Sequence, residues 1–204
     1  MVIRLLPALE RFVEALLIST GVVALAEIGD KTQLLAFILA ARFKKPLPII
    51  AGILCATILN HGIAGVLGAW ITASVSPEIL RWILGASFIG MAVWTLIPDK
   101  IEEGETQVAK QFGVFGATFI TFFLAEMGDK TQIATIALAA NYASAIMVVI
   151  GTTLGMLIAD VPAVFVGDRM AKKIPMKLVH SIAAAIFGIL GMATLLGAGA
   201  RLGF

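Results

Sequence analysis

The chain has 204 residues, 60% of them hydrophobic and only 14% charged, with a formal net charge of +2. A water-soluble domain of this size cannot cover so much apolar surface, and a mean hydropathy of +1.02 points to a bilayer as its solvent. The small charge comes without a run of basic residues, which argues against a nucleic-acid partner, and a single cysteine, Cys55, excludes an intramolecular disulfide.

The first eleven residues are short and mixed, with Arg4, Glu10 and Arg11. They lack the layout of a cleaved signal, so the first helix is expected to act as an uncleaved membrane signal. A helix needs about 20 apolar residues to cross the hydrocarbon core, and six segments reach that length. The first predicted span, Phe12–Ala41, carries Glu27, Asp30 and Lys31 near its middle. At 1.5 Å per residue it would run about 45 Å, well beyond a core of roughly 30 Å, which implies either a tilt or a break at Gly29-Asp30. The second, Leu47–Ala73, holds Cys55, expected to be a small buried hydrophobe. It also holds Asn60 and His61, expected to make an interhelical hydrogen bond. The third is Ile79–Ile97, and Trp70, Trp82 and Trp94 lie near span ends, where aromatic rings anchor at the interface. A charged stretch with Asp99, Glu102, Glu103 and Glu105 reads as a solvated linker over residues 99–111, dividing a unit 1–98 from a unit 112–204. The remaining spans are Phe112–Ala140, with Glu126, Asp129 and Lys130, then Ser144–Val166, with Asp160, and Leu178–Ala200, with His180 at its start. Pro46, Pro77 and Pro175 stand where helices begin or end.

The two units repeat each other. Residues 25–33 read Leu-Ala-Glu-Ile-Gly-Asp-Lys-Thr-Gln and residues 124–132 read Leu-Ala-Glu-Met-Gly-Asp-Lys-Thr-Gln; at the same offset Gly52 matches Gly151 and Gly68 matches Gly167. After a two-residue slip, Gly90-Met91-Ala92 matches Gly191-Met192-Ala193. A repeat of three spans must place its second copy upside down. Loop charges point the same way. The loop after span 1 carries Arg42, Lys44 and Lys45, while its counterpart after span 4 has no Lys or Arg. The loop after span 2 offers only Arg81, while its counterpart holds Arg169, Lys172, Lys173 and Lys177. The positive-inside rule then places the 1–2, 3–4 and 5–6 loops in the cytoplasm and both termini outside. The expected fold is an all-α integral membrane protein with six transmembrane helices arranged as two inverted three-helix repeats.

Charged groups in mid-span are costly, about 3 kcal/mol each on insertion scales, and mark function by default. Glu27 with Asp30, and Glu126 with Asp129, are three apart and so share a helix face. If the two equivalent helices meet at mid-membrane, four carboxylates face one small volume. Lys31 and Lys130 act as counter-charges, and the remaining formal charge of about −2 is what a divalent cation balances. Thr32, Gln33, Thr131 and Gln132 add neutral oxygens one turn on, and Gly29 and Gly128 permit close approach or local unwinding. An all-oxygen donor set favours Mn²⁺, Ca²⁺ or Mg²⁺ over Zn²⁺ or Cu⁺. A plainer reading makes Glu27–Lys31 and Glu126–Lys130 ordinary i,i+4 salt bridges. Asp160 and Asn60 are candidates for supporting the cation ligands or relaying protons. The glycines 62, 65 and 68, and the Gly151-xxx-Gly155 pair, read as close helix-packing surfaces. No His-Glu-x-x-His occurs and His61 is far in sequence from His180, which argues against a metalloenzyme.

Two copies of Glu-x-Gly-Asp-[Lys/Arg]-[Thr/Ser], at Glu27–Thr32 and Glu126–Thr131, resemble the small six-helix cation–proton exchangers for manganese and calcium. That family includes bacterial manganese exporters and Golgi and chloroplast relatives, and the likeness spans essentially the whole chain. The resemblance implies a secondary transporter with the four motif carboxylates as ligands and no cofactor. It suggests efflux of Mn²⁺ (or Ca²⁺) from the cytosol across the plasma (inner) membrane in exchange for protons, with rocking of one half against the other switching access.

Overall fold

The computed structural model describes residues 6–97, 112–166 and 176–197. The acidic linker at 99–111 and the basic residues Arg169, Lys172 and Lys173 lie outside these residues. Among the described residues all regular structure is helical: α1 (Leu6–Glu27), α2 (Lys31–Phe43), α3 (Pro46–Ser74), α4 (Pro77–Thr95), α5 (Gly113–Glu126), α6 (Lys130–Asn141), α7 (Ala145–Val166) and α8 (Met176–Leu195).

Local chemistry sets these boundaries. Pro46 and Pro77 open α3 and α4 at first-turn positions, where a missing N–H costs nothing. Lys44 closes α2 in the left-handed conformation (φ 52°), its N–H bonding back to the Ala40 carbonyl. The largest departure from the predicted spans lies in Phe12–Ala41 and Phe112–Ala140. Each is two helices, broken between the motif glutamate and the motif lysine. Break, not tilt, resolves the excess length of the first span.

Helices α3 and α7 are each long and apolar enough to cross a membrane, and α1 with α2, bent by 69° at the break, pass the same test when taken together as one broken span. Large apolar side chains face outward, Leu47, Val66, Ile146 and Leu196 among them, while Glu27, Asn60, His61, Glu126, Thr131 and Asp160 are wholly buried. This distribution inverts that of a soluble protein, and it is what a lipid solvent selects. Cys55 follows it: it is exposed on the outer face of α3, beside Ile58, Leu59, Gly62, Ile63 and Val66. The expectation that it would be buried is therefore corrected. A thiol is apolar enough to face lipid as readily as protein.

The described elements recur at the spacing of the sequence repeat: Lys31 and Lys130 open α2 and α6, Pro46 and Ala145 open α3 and α7, Pro77 and Met176 open α4 and α8. Contacts recur in exchanged form. Helix α1 packs on α7 and α5 on α3, while α3 meets α7 and α4 meets α8. In that last pair the equivalent residues Phe88 and Phe187 stack, with ring centroids 6.5 Å apart.

Small residues permit the exchanged packing. A Cβ at Gly151 would lie 2.5 Å from the Leu16 carbonyl oxygen, and one at Gly155 would lie 2.6 Å from that of Thr20 and 2.8 Å from the Ala24 nitrogen. Gly52, the repeat mate of Gly151, lies against the Thr118 side chain and the Phe115 carbonyl oxygen of α5, and Gly68 against α6. Gly62 is different: nothing lies within 4 Å of its Cβ position, so it packs against no neighbouring helix. The Gly155→Ala variant is expected to lose about 1–3 kcal/mol, because backbone atoms that cannot rotate away would be overpacked. Gly62→Ala should lose none of this. Thermal unfolding in detergent distinguishes the two.

Candidate cation-binding site

The two breaks have one backbone conformation. Gly29 (φ 86°) and Gly128 (φ 74°) occupy the left-handed region, which costs a residue with a Cβ about 1–2 kcal/mol. Asp30 (φ −79°, ψ 170°) and Asp129 (φ −77°, ψ 166°) then cap α2 and α6 in extended conformation. Their N–H groups bond to the Glu27 and Glu126 carbonyls at 3.0 and 3.1 Å. Neither aspartate side chain is used as a helix cap, so both carboxylates are available elsewhere while resting on the positive ends of α2 and α6. Gly29→Ala and Gly128→Ala are each expected to lower the unfolding temperature by an amount matching that strain, and an unchanged melt would exclude the break as their cause.

The motif side chains divide into roles. The Thr32 hydroxyl donates to Glu27 Oε2 at 2.6 Å, and the Thr131 hydroxyl donates to Glu126 Oε2 at 2.9 Å. Gln33 Oε1 accepts the Gly29 N–H at 2.9 Å, and Gln132 Oε1 accepts the Gly128 N–H at 2.8 Å. Each glutamine amide then reaches outward. Gln33 donates to the Ala159 carbonyl of α7 at 2.8 Å, and Gln132 donates to Asn60 Oδ1 of α3 at 3.4 Å. These four neutral residues were expected as additional oxygens of a cavity. In this conformation their polar atoms instead hold the glutamates and the breaks. Asn60 makes the expected interhelical hydrogen bonds: besides accepting from Gln132 on α6, its amide donates to the Phe123 carbonyl of α5 at 3.0 Å. It thus ties both halves of that break to α3. His61 beside it is buried, and neither ring nitrogen has a hydrogen-bond partner among the described residues.

The lysines cross between the motifs. Lys130 Nζ contacts Asp30 Oδ1, and Lys31 Nζ lies 3.7 Å from Asp129 Oδ1. This corrects the i,i+4 reading, in which each lysine would serve the glutamate of its own motif. The spacing along one helix made that pairing available, but the break turns each lysine toward the opposite half. Carboxylate oxygens of Glu27, Asp30 and Asp129 all lie within 4.8 Å of one another, a grouping able to hold a metal ion. Glu126 is equally buried but falls outside this group. Glu27 Oε1, Glu126 Oε1 and Asp129 Oδ2 are buried with no hydrogen-bond partner among the described residues. Outward-facing acceptors of this kind, in a dry interior, suit a hard cation.

Sequence reasoning missed two participants, the Ala159 and Phe123 carbonyls. Both are backbone groups, and no side-chain pattern announces them. Asp160, next to Ala159, is wholly buried with both carboxylate oxygens lacking a hydrogen-bond partner.

A protein-family model described as "Divalent cation/proton antiporter GDT1" matches residues 15–103 and again residues 114–201. The chain is similar to a Vibrio cholerae protein provisionally described as a manganese exporter, with 51% identity over 186 residues covering 91% of this chain and 92% of that protein. It is also similar to a GDT1-like protein of Oryza sativa subsp. indica, 30% identical over 200 residues (85% of this chain, 71% of that one). A GDT1-like protein of Synechocystis is 30% identical over 188 residues (81% and 88%). No solved structure matches.

Proposed function

The chain belongs to the GDT1 family of divalent cation/proton antiporters, and from that premise we propose that it exports Mn²⁺ from the cytosol in exchange for protons, by alternating access at the carboxylate cluster. It is a multi-pass membrane transporter and not an enzyme. The metal is its cargo. The observation that carries the proposal is the convergence of Glu27, Asp30 and Asp129 at the helix breaks, with the lysines crossing between halves.

In this reading α5 with α6 forms a broken span like α1 with α2, and α4 and α8 complete six spans. The exchanged contacts, and the meeting of α3 with α7 and α4 with α8, support two halves related by a two-fold axis in the membrane plane. The loop charges support cytoplasmic 1–2, 3–4 and 5–6 loops and extracytoplasmic termini in the plasma (inner) membrane. Mn²⁺ is held by Glu27, Asp30 and Asp129, with Glu126 joining the ligands as the halves rock. Protonation of these carboxylates on the outer side discharges the site and releases the metal, and deprotonation facing the cytosol reloads it.

Proteoliposomes with an ion-sensitive dye inside and an imposed pH gradient test the proposal. Mn²⁺ flux that follows the gradient is the expected result. Flux of Ca²⁺ alone would reassign the cargo to calcium, and no flux of Mn²⁺, Ca²⁺ or Mg²⁺ would end the transport reading for this chain. Full flux in Glu126→Gln would remove that residue from the site.

A further inference from the structure

Asp160 is a buried carboxylate that the four-carboxylate site does not use. It lies on α7, which packs against α1, α2, α3 and α6, and it stands outside the compact group of Glu27, Asp30 and Asp129. Its neighbour Ala159 receives the Gln33 amide at 2.8 Å, which fixes this turn of α7 to the start of α2. The side chain is 0% exposed and neither oxygen has a hydrogen-bond partner among the described residues. Pro162, two residues on, has no N–H to offer the Ile158 carbonyl, which leaves a further oxygen of α7 without its helical donor.

The pairing of charges gives this position its meaning. Lys130 engages Asp30 and Lys31 engages Asp129. Threonine hydroxyls hold Glu27 and Glu126 at Oε2, and Oε1 of each has no hydrogen-bond partner among the described residues. The two cross-motif ion pairs therefore do not include the glutamates or Asp160. A buried carboxylate with no hydrogen-bond partner is retained against a desolvation penalty, so a cation that meets it stabilises the protein. The position is also unequal between the halves: at the repeat spacing, α3 carries His61 where α7 carries Asp160.

We propose that Asp160 is a fifth cation-binding carboxylate of the transport cavity, engaging the divalent ion from the α7 wall and making the site unequal between the two halves. This rests on the transport reading above. A buried acid that only fills space would be replaceable by its amide without consequence for the ion. A ligand would not.

The test uses the full chain, with Mn²⁺ as the probe, in two measurements. In proteoliposomes, Asp160→Asn is expected to raise the Mn²⁺ concentration for half-maximal flux by roughly tenfold or more, the size seen when a group supporting a metal is lost, while Asp160→Glu stays close to wild type. In detergent, Asp160→Asn without metal should melt at or above the wild-type temperature, since an unpartnered charge is gone. Its Mn²⁺-induced rise in melting temperature should shrink. Asp160→Ser, smaller and also uncharged, repeats both measurements should the amide disturb packing. Wild-type half-saturation together with a wild-type Mn²⁺ response in the neutral variants overturns the assignment alone. A wild-type protein that carries no divalent cation overturns the transport reading, and this one with it.

Discussion

Replacing Glu27 with glutamine is expected to lower Mn²⁺ flux by roughly 100-fold or more, equivalent to about 2.7 kcal/mol of lost cation binding. Glu27 is the one glutamate in the compact group with Asp30 and Asp129. Thr32 fixes its Oε2 at 2.6 Å, and Oε1 is buried with no hydrogen-bond partner among the described residues, as the proposed ligand role requires. The amide keeps the size and the threonine contact but loses the charge, and both aspartates of the group are already engaged by lysines. Binding should fail while the fold survives, because a neutral side chain in this interior removes a desolvation penalty. The check is paired: flux in proteoliposomes against unfolding temperature in detergent. Loss of both together would mean that Glu27 holds the fold and not the ion.

Lys130→Met should do the reverse, destabilising the protein itself by about 3–5 kcal/mol, the usual cost of leaving one partner of a buried ion pair alone. Lys130 and Asp30 side chains are 4% and 1% exposed, so water cannot take the place of the ammonium. Lys31 is the instructive control. Its side chain is 21% exposed and sits 3.7 Å from Asp129, and Lys31→Met is expected to cost no more than about 1 kcal/mol. The double variant Lys130→Met/Asp30→Asn should recover most of the stability but little of the transport, since it restores charge balance by deleting a proposed ligand. Denaturation midpoints for the four proteins decide this. Equal losses in the two lysine variants would contradict the difference in burial.

Much of this protein was legible before any coordinates. Glu27, Asp30, Glu126 and Asp129 stand out because ionisable residues in apolar runs are rare, and their repetition at one spacing makes coincidence implausible. The excess length of the first span signalled either a tilt or a break, and Gly29 and Gly128 were the positions able to turn the chain. Cys55 went the other way. An apolar run read without its neighbours does not say which face meets lipid, and the outward side of α3 is as hydrophobic as the inward one. Gln33 and Gln132 were legible as neutral polar groups one turn beyond the aspartates, but the Gly29 and Gly128 N–H groups their oxygens accept become available only when the helix breaks.

What the sequence determined by itself was the solvent, the repeat, and the kinds of atom offered to a cation. Those depend on composition and on spacing within short segments, which a single chain states directly. Only the tertiary structure decided that Lys130 serves Asp30 while Lys31 serves Asp129, that one lysine is sealed and the other partly open, and that Glu126 stands apart from a group containing its repeat mate. These are relations between segments about a hundred residues apart. They are set by how glycine-lined helices pack through space, and two identical motifs carry no mark of which will lie deeper.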